Sequence, residues 1–244
     1  MTAPWLSVII PAYNEEDSIS GTLSDISTFL SQKEYTYEII LVNDGSDDST
    51  LDRAREALKE NERLTVINNR TNSGKGDAVK RGMLAASGKY RFFTDADNST
   101  TIDHLDKLLP YFSQGKDIVI GSRAVQGATI SLSQPIYRTI PGKIGNLLIQ
   151  ALALPGLHDT QCGFKGFTEK SARDIFSRTI IKGWAFDIEA LFIGKRMGYE
   201  IAEIPVTWVN HPSSKVRFSS YFSTIFDLLY FRIYHSIRKN STSG

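Results

Sequence analysis

Cysteine is nearly absent from this chain. Cys162 is the only one in 244 residues, so an internal disulfide is excluded and a reducing compartment is the expected setting. Also missing is any run near the roughly 20 apolar residues that a spanning helix needs. The chain is therefore not expected to cross a membrane, although it can still lie on one. No sign of charge dominates: 28 Lys and Arg stand against 27 Asp and Glu, a net charge of +1. Without a basic surplus nothing points to nucleic acid, and anionic ligands have to be held by local clusters. His104, His158, His211 and His235 are too scattered for a zinc site. Residues 1–5 lack a charged segment followed by an apolar one, so no signal peptide is expected.

What remains is ordinary core-building material, 41% hydrophobic and 23% charged, enough for one α/β domain with a C-terminal extension. Residues 6–11, 37–43, 64–68, 90–94 and 118–122 are short, rich in β-formers and bounded by Asn, Asp, Gly or Ser, as strands are. Helix-compatible spacing fills 16–31, 49–61, 75–86 and 102–112 between them. Strand and helix in repeated alternation predict a doubly wound, mostly parallel sheet with helices on both faces. Further on, 143–154 carries a helical apolar stripe, 164–168 and 201–208 read as strands, and 169–176 and 186–197 as helices. Residues 221–237 are helical and aromatic nearly all round. A domain over 1–217 and an amphipathic C-terminal helix and tail over 218–244 are expected.

In doubly wound sheets, ligands collect at the carboxyl ends of strands, and the polar residues of this chain fall there. The first strand ends in Pro11, Ala12, Tyr13, Asn14 and Glu15. Tyr13 can stack on a flat ring and Glu15 can accept from base or ribose donors, although a turn with a helix-dipole carboxylate explains the same residues. Asp44 stands at the lip of the second strand, in a segment whose Asp-Gly turn and Ser/Asp caps are otherwise commonplace. After the third strand, Gly74 and Gly76 flank Lys75 at a helix start, where backbone and dipole can meet a phosphate. A Walker A loop is excluded by the missing Gly-Lys-Ser/Thr ending.

The most specific signal is Asp95, Ala96, Asp97, two carboxylates just past an apolar strand. If both swing to one side as the strand breaks into a turn, they repel, and a divalent cation relieves that repulsion. Mg²⁺ or Mn²⁺ suits oxygen ligands shared between carboxylates and a substrate phosphate. Arg123, ending the fifth strand, can hold a phosphate bidentately. Arg138, Lys143, Lys215 and Arg217 are available for a second anion.

Taken together, residues 8–15, 42–46, 72–76 and 95–97 resemble the family 2 glycosyltransferases of GT-A fold. Residues 121–123, 159–165, 184–189 and 214–215 narrow the resemblance to the dolichyl-phosphate β-glucosyltransferases and, more distantly, the dolichyl-phosphate mannosyltransferases. Asn98 and Ser99 stand where the glucosyl enzymes usually show Gly-Ala. The resemblance implies a nucleotide-sugar donor, a divalent metal on Asp95 and Asp97, inversion at the anomeric carbon, and a polyprenyl-phosphate acceptor. Pro11, Tyr13, Glu15 and Asp44 would hold the nucleoside, with Lys75, Gly76, Asp95 and Ala96 beside the nucleotide-sugar. Arg123 would meet donor or acceptor phosphate, and Arg138 and Lys215 the lipid phosphate. Asp187 would stabilise charge at the sugar or bind its hydroxyls, or simply serve as an acid at a helix N-terminus.

The expected reaction is hexose transfer, glucose from UDP-glucose first, by a peripheral enzyme at the cytoplasmic face of a membrane. Donor GDP-mannose, a hydroxyl acceptor, and a non-catalytic nucleotide-sugar-binding scaffold are the rivals. An integral-membrane partner or a homodimer is the other use for the apolar stripes of the second half.

Overall fold

The computed structural model describes residues 3–58, 63–131, 136–209 and 219–240, with backbone alone for 136–143, 219–222 and 238–240. Seven strands form one sheet: β1 (Leu6–Ala12), β2 (Tyr37–Asn43), β3 (Leu64–Asn68), β4 (Tyr90–Thr94), β5 (Ile118–Ser122), β7 (Phe164–Thr168) and β8 (Ile201–Pro205). Their spatial order is β3-β2-β1-β4-β7-β5-β8. All neighbouring pairs are parallel except those of β7, which runs antiparallel to both β4 and β5. Two short strands, β6 (Thr129–Ile130) and β9 (Thr207–Trp208), pair in parallel beside it.

Central strands buried on both faces read as continuous apolar runs, and β1 is buried along its whole length. Strand periodicity then divides those residues between two cores. Ile9, Ile40, Val42, Phe93 and Ile120 face α3 (Lys75–Ala85), α7 (Glu169–Phe176) and α8 (Phe186–Arg196). Val8, Ile10, Leu41, Phe92 and Val119 face α1 (Ile19–Ser31), α2 (Thr50–Ala57), α4 (Leu105–Leu108) and α5 (Pro110–Ser113). The expected doubly wound, mostly parallel architecture is the one observed.

Two elements depart from the sequence reading. The single helix expected over 102–112 is a 3₁₀ turn at Ile102–His104 followed by α4 and α5. Pro110 lacks an N–H to continue the ladder, so the helix restarts there. The strand expected over 201–208 stops at Pro205, and the next residues turn off to pair with β6.

The helical stripe of the second half begins earlier than expected, as α6 (Ile136–Leu152). It packs beside the C-terminal helix α9 (Ser219–Asn240). Leu228 and Phe231 of α9 are buried, with the Phe231 ring 5.5 Å from that of Phe192 on α8. Its other side exposes Phe226 (72%), Tyr230 (58%), Ile233 (60%) and Ile237 (63%), while Ile144 and Leu147 are exposed on α6. Among the described residues no helix is long and apolar enough to cross a membrane.

Candidate active site

The carboxyl ends of β1, β2 and β4 lie side by side because those strands are adjacent and parallel. Pro11 sits one residue from the end of β1, opposite Val42. The loops leaving β1 and β2 are stitched together: the Asn14 N–H donates to Ser46 Oγ (2.9 Å) and the Glu15 N–H to Thr50 Oγ1 (2.7 Å). Glu15 Oε2 accepts from Ser18 Oγ at 2.8 Å, and Tyr13 is 37% exposed at the rim.

Asp44 is buried and already well supplied with donors. Its carboxylate accepts from Asn69 Nδ2 (2.8 Å), the Ser73 N–H (3.0 Å) and the Gly74 N–H (2.8 Å). It therefore ties the end of β2 to the turn that opens α3. The glycine turn itself differs from the open phosphate cradle that its composition suggests. The Gly74 N–H goes to Asp44, and the Gly76 N–H donates to the Lys182 carbonyl at 2.7 Å. A Cβ on Gly76 would lie 2.5 Å from the Ile181 carbonyl oxygen, and one on Gly74 2.5 Å from that of Lys182. The two glycines thus admit another stretch of backbone, residues 181–183, and the side chain of Lys75 between them reaches Asp95.

Lys75 Nζ lies 2.6 Å from Asp95 Oδ1 and 5.3 Å from the Trp184 ring centroid. Burial alone would lower its pKa, but Asp95, Asp187 and Asp97 outweigh burial and raise it, so the ammonium is held charged. Asp95 directly follows β4, its N–H donating to the Gly163 carbonyl (3.1 Å). A side chain at Gly163 would run into the Asp95 carboxylate, so that glycine makes the space the acid occupies. Ala96 is buried, and its carbonyl accepts from Thr22 Oγ1 at 2.8 Å. Asp97 Oδ1 accepts from the Ser99 N–H (2.9 Å). Burial raises the pKa of Asp97, and the charge of Asp95 adds to the rise. Asn98 has φ +55°, a left-handed conformation that glycine and asparagine both tolerate; its Nδ2 donates to Asp25 of α1 at 2.8 Å.

Arg123 has one of its two donor edges already taken. Its Nε (2.7 Å) and Nη2 (2.9 Å) both donate to Asp159, and its backbone N–H joins them at 2.9 Å. Burial would lower the Arg123 pKa, but Asp159 outweighs it and keeps the guanidinium firmly charged. Burial would likewise raise the Asp159 carboxyl, and Arg123 reverses that, holding it below the usual carboxylate range. One edge of the guanidinium is thus occupied, so a phosphate cannot take that edge without displacing Asp159. Trp208 lies 5.4 Å from the same group.

Asp187, in the first turn of α8, is buried against Lys165, with Oδ1 2.6 Å from Nζ. Burial raises its pKa, and Lys165 and Lys75 oppose the rise. Lys165 is itself fully buried in β7 and also donates to the Cys162 carbonyl at 2.5 Å. Sequence reasoning gave Lys165, Asp159 and Gly163 no role of their own. A lysine between apolar residues of a strand is the available signal, because a buried ammonium requires a partner. Burial pushes the Cys162 thiol up to about 12, leaving it unreactive. Of the two residues expected at a lipid phosphate, Arg138 lies on α6 in the part described by backbone alone, and Lys215 lies outside the described residues.

Asp95, Asp97, Asp187, Lys75 and Lys165 therefore form one electrostatic cluster with three carboxyls against two ammonium groups. Fully ionised it is one negative charge in excess. Asp95 Oδ1 is buried without a hydrogen bond of good geometry, Lys75 meeting it as an ion-pair partner. Asp95 and Asp97 supply oxygen donors and surplus negative charge of the kind a divalent cation takes, but among the described residues no three such side chains converge, so substrate oxygens would have to complete the shell.

Residues 7–176 match the family described as Glycosyl transferase family 2. A dolichyl-phosphate beta-glucosyltransferase of Drosophila melanogaster is 37% identical over 224 residues, covering 86% of this chain and 69% of that protein. The Homo sapiens protein of the same name is 33% identical, over 93% of this chain and 75% of its own length. Among solved structures, glucosyl-3-phosphoglycerate synthase from Mycobacterium tuberculosis, in complex with Mn²⁺, UDP-glucose and phosphoglyceric acid, superposes with a TM-score of 0.72. It is 20% identical, and the match covers 93% of this chain and 79% of that one, a likeness of fold. With the family match spanning most of the sequence and the acidic pair at the end of β4, this chain belongs to glycosyl transferase family 2.

Proposed function

We propose that this glycosyltransferase moves a hexose, glucose from UDP-glucose in the first instance, onto a dolichyl-type polyprenyl phosphate at a membrane surface. The observation that carries the reading is the Asp95/Asp97 pair with Lys75 at the carboxyl edge of the sheet, in a chain 33–37% identical to dolichyl-phosphate glucosyltransferases. Glucose is preferred to mannose because these relatives carry the glucosyl name. Asp44 and Glu15 line the nucleoside end, where Asp44 also fixes the loop that aims Lys75. Tyr13 supplies a flat surface at the rim.

The acceptor explains why no dedicated base is needed. A phosphate monoester has a second pKa near ~6 and is largely dianionic at neutral pH. One of its oxygens attacks the anomeric carbon as the bond from that carbon to the nucleotide diphosphate breaks, with inversion. The protein's tasks are then electrostatic and positional. Lys75 places positive charge beside the departing diphosphate. Arg123, held by Asp159, brings fixed positive charge to the phosphates, and Arg138 and Lys215 are assigned to the lipid phosphate. Asp187, anchored by Lys165, is assigned to the sugar. A divalent cation, Mg²⁺ or Mn²⁺, would be held by Asp95 and Asp97 and would neutralise the diphosphate.

The exposed apolar faces of α6 and α9 support seating on the membrane, with residues 1–217 as the catalytic domain and 218–244 as the interfacial segment. Such a helix buries an apolar face among the headgroups without spanning. The cytoplasmic face is the assigned side, in keeping with a single unreactive cysteine. The decisive experiment incubates the purified chain with membranes and labelled UDP-glucose or GDP-mannose, followed by chloroform extraction. Label from UDP-glucose should enter the lipid phase and be lost in chelator. Extraction of label from GDP-mannose alone would replace the donor, and no lipid product from either would defeat the reading.

A further inference from the structure

Glu189, one turn into α8, is fully buried, yet it is engaged by neither Asp187 nor the lysines nearby. Its carboxylate accepts from the backbone N–H of Ile180 at 3.0 Å and of Ile181 at 2.8 Å. Its Oε1 also faces His235 Nε2 of α9, at 2.7 Å. A helix-dipole acid would explain a carboxylate in a first turn, but it does not explain donors drawn from the loop that leads into α8 and from another helix. Burying a carboxylate is tolerated only when its lone pairs are filled, so removal of any donor must be felt by the others.

The loop on one side of Glu189 is the one that presses on the lysine turn. Lys182 gives its carbonyl to the Gly76 N–H, and Lys80 Nζ holds the Thr179 carbonyl at 2.6 Å. The approach of Ile181 and Lys182 to Gly74 and Gly76 is backbone against backbone, which leaves little slack. Trp184, at the end of this loop, stands under the Lys75 ammonium. On the other side, His235 belongs to the helix whose outer face is apolar and exposed, and its ring packs near Phe192 and Phe231. Asp227, on the same helix, is pushed up by burial and then by the charge of Glu189.

We propose that Glu189 is a positioning residue that joins the C-terminal helix, through His235, to residues 180–182 and so to the Lys75 turn, making the seating of that helix a condition for donor binding. The inference rests on the reading of Lys75 and Asp95 as the donor site. Its test uses the full chain and two substitutions on the helix, His235→Ala and His235→Gln, because Glu189→Ala risks unfolding. Amide hydrogen exchange and calorimetric titration with UDP and Mn²⁺ are measured on each. In His235→Ala, exchange at Gly76, Ile180 and Ile181 should accelerate by about tenfold while the β1 and β2 amides keep their protection. UDP binding should weaken by about five- to tenfold. His235→Gln, which retains an N–H donor, should restore both. Unchanged exchange at those three amides in His235→Ala, or faster exchange throughout the chain that Gln does not rescue, would overturn the coupling. Failure of the wild-type chain to bind UDP would instead count against the donor reading, with exchange at Gly76 still deciding whether helix and turn are linked.

Discussion

Asp97 and Asp159 show two ways of setting a carboxyl. At Asp97, burial and then the charge of Asp95 raise the pKa, so the ionised form is favoured once positive charge arrives. Asp97→Ala is expected to cut transfer by at least about 100-fold, on the scale of losing a transition-state charge contact, while circular dichroism and melting stay close to wild type. Retained transfer would remove Asp97 from the mechanism. Asp159 is the opposite case, its folded pKa depressed by Arg123 against the effect of burial. A depressed carboxyl contributes stability that is fully present above the unfolded value near ~3.9 and is lost as pH falls through the folded value. Asp159→Asn should therefore be less stable than wild type at pH 7, by about 2 kcal/mol, with the gap shrinking only below the unfolded carboxyl value of about 3.9. A gap independent of pH across thermal melts would mean that the ion pair is not its source. The chemical types of both acids are plain in the sequence, but their partners are not. Arg123 and Asp159 are 36 residues apart, and only the fold brings them to 2.7 Å.

Among the elements, β7 has the largest consequence for the site. It enters antiparallel between β4 and β5, so that its first residues lie against the last residues of β4. This arrangement sets Gly163 against Asp95 and directs Lys165 toward Asp187. Gly163→Ala should displace the Asp95 carboxylate, lowering transfer by about tenfold or more with a stability cost of about 1–3 kcal/mol, typical of overpacking. Wild-type kinetics in that variant would show that the carboxylate has room to spare. Strands β2 to β5 were legible to the residue because apolar runs with polar ends are self-announcing. Helix continuity past Leu108 was not, because one proline outweighs a periodic pattern. Nor was the glycine turn, whose two glycines suggest room for a phosphate but in the fold admit the carbonyls of Ile181 and Lys182.

The whole molecule has a polar rim at one edge of its sheet and an apolar face on α6 and α9. Phe226, Tyr230, Ile233 and Ile237 recur every three or four residues on the exposed side of α9, with Leu228 and Phe231 pointing inward. A helix apolar on both sides needs a second apolar environment. Phe226→Glu combined with Ile233→Glu should reduce co-sedimentation with phosphatidylcholine/phosphatidylserine vesicles by about tenfold, given the buried apolar area lost. UDP affinity should change far less, since neither side chain touches the core. Equal vesicle binding, together with a loss of self-association, would assign the face to a second copy of the chain.

The sequence by itself determined the alternating architecture, the polar strand ends and the acidic pair, because each of these is written in short-range periodicity and local residue chemistry. Only the tertiary structure decided that Asp159 holds Arg123, that Lys165 neutralises Asp187, and that Glu189 bridges a loop and the last helix. Those pairings join residues from separate elements. A buried charge selects its partner by proximity in space, and sequence spacing carries no record of that.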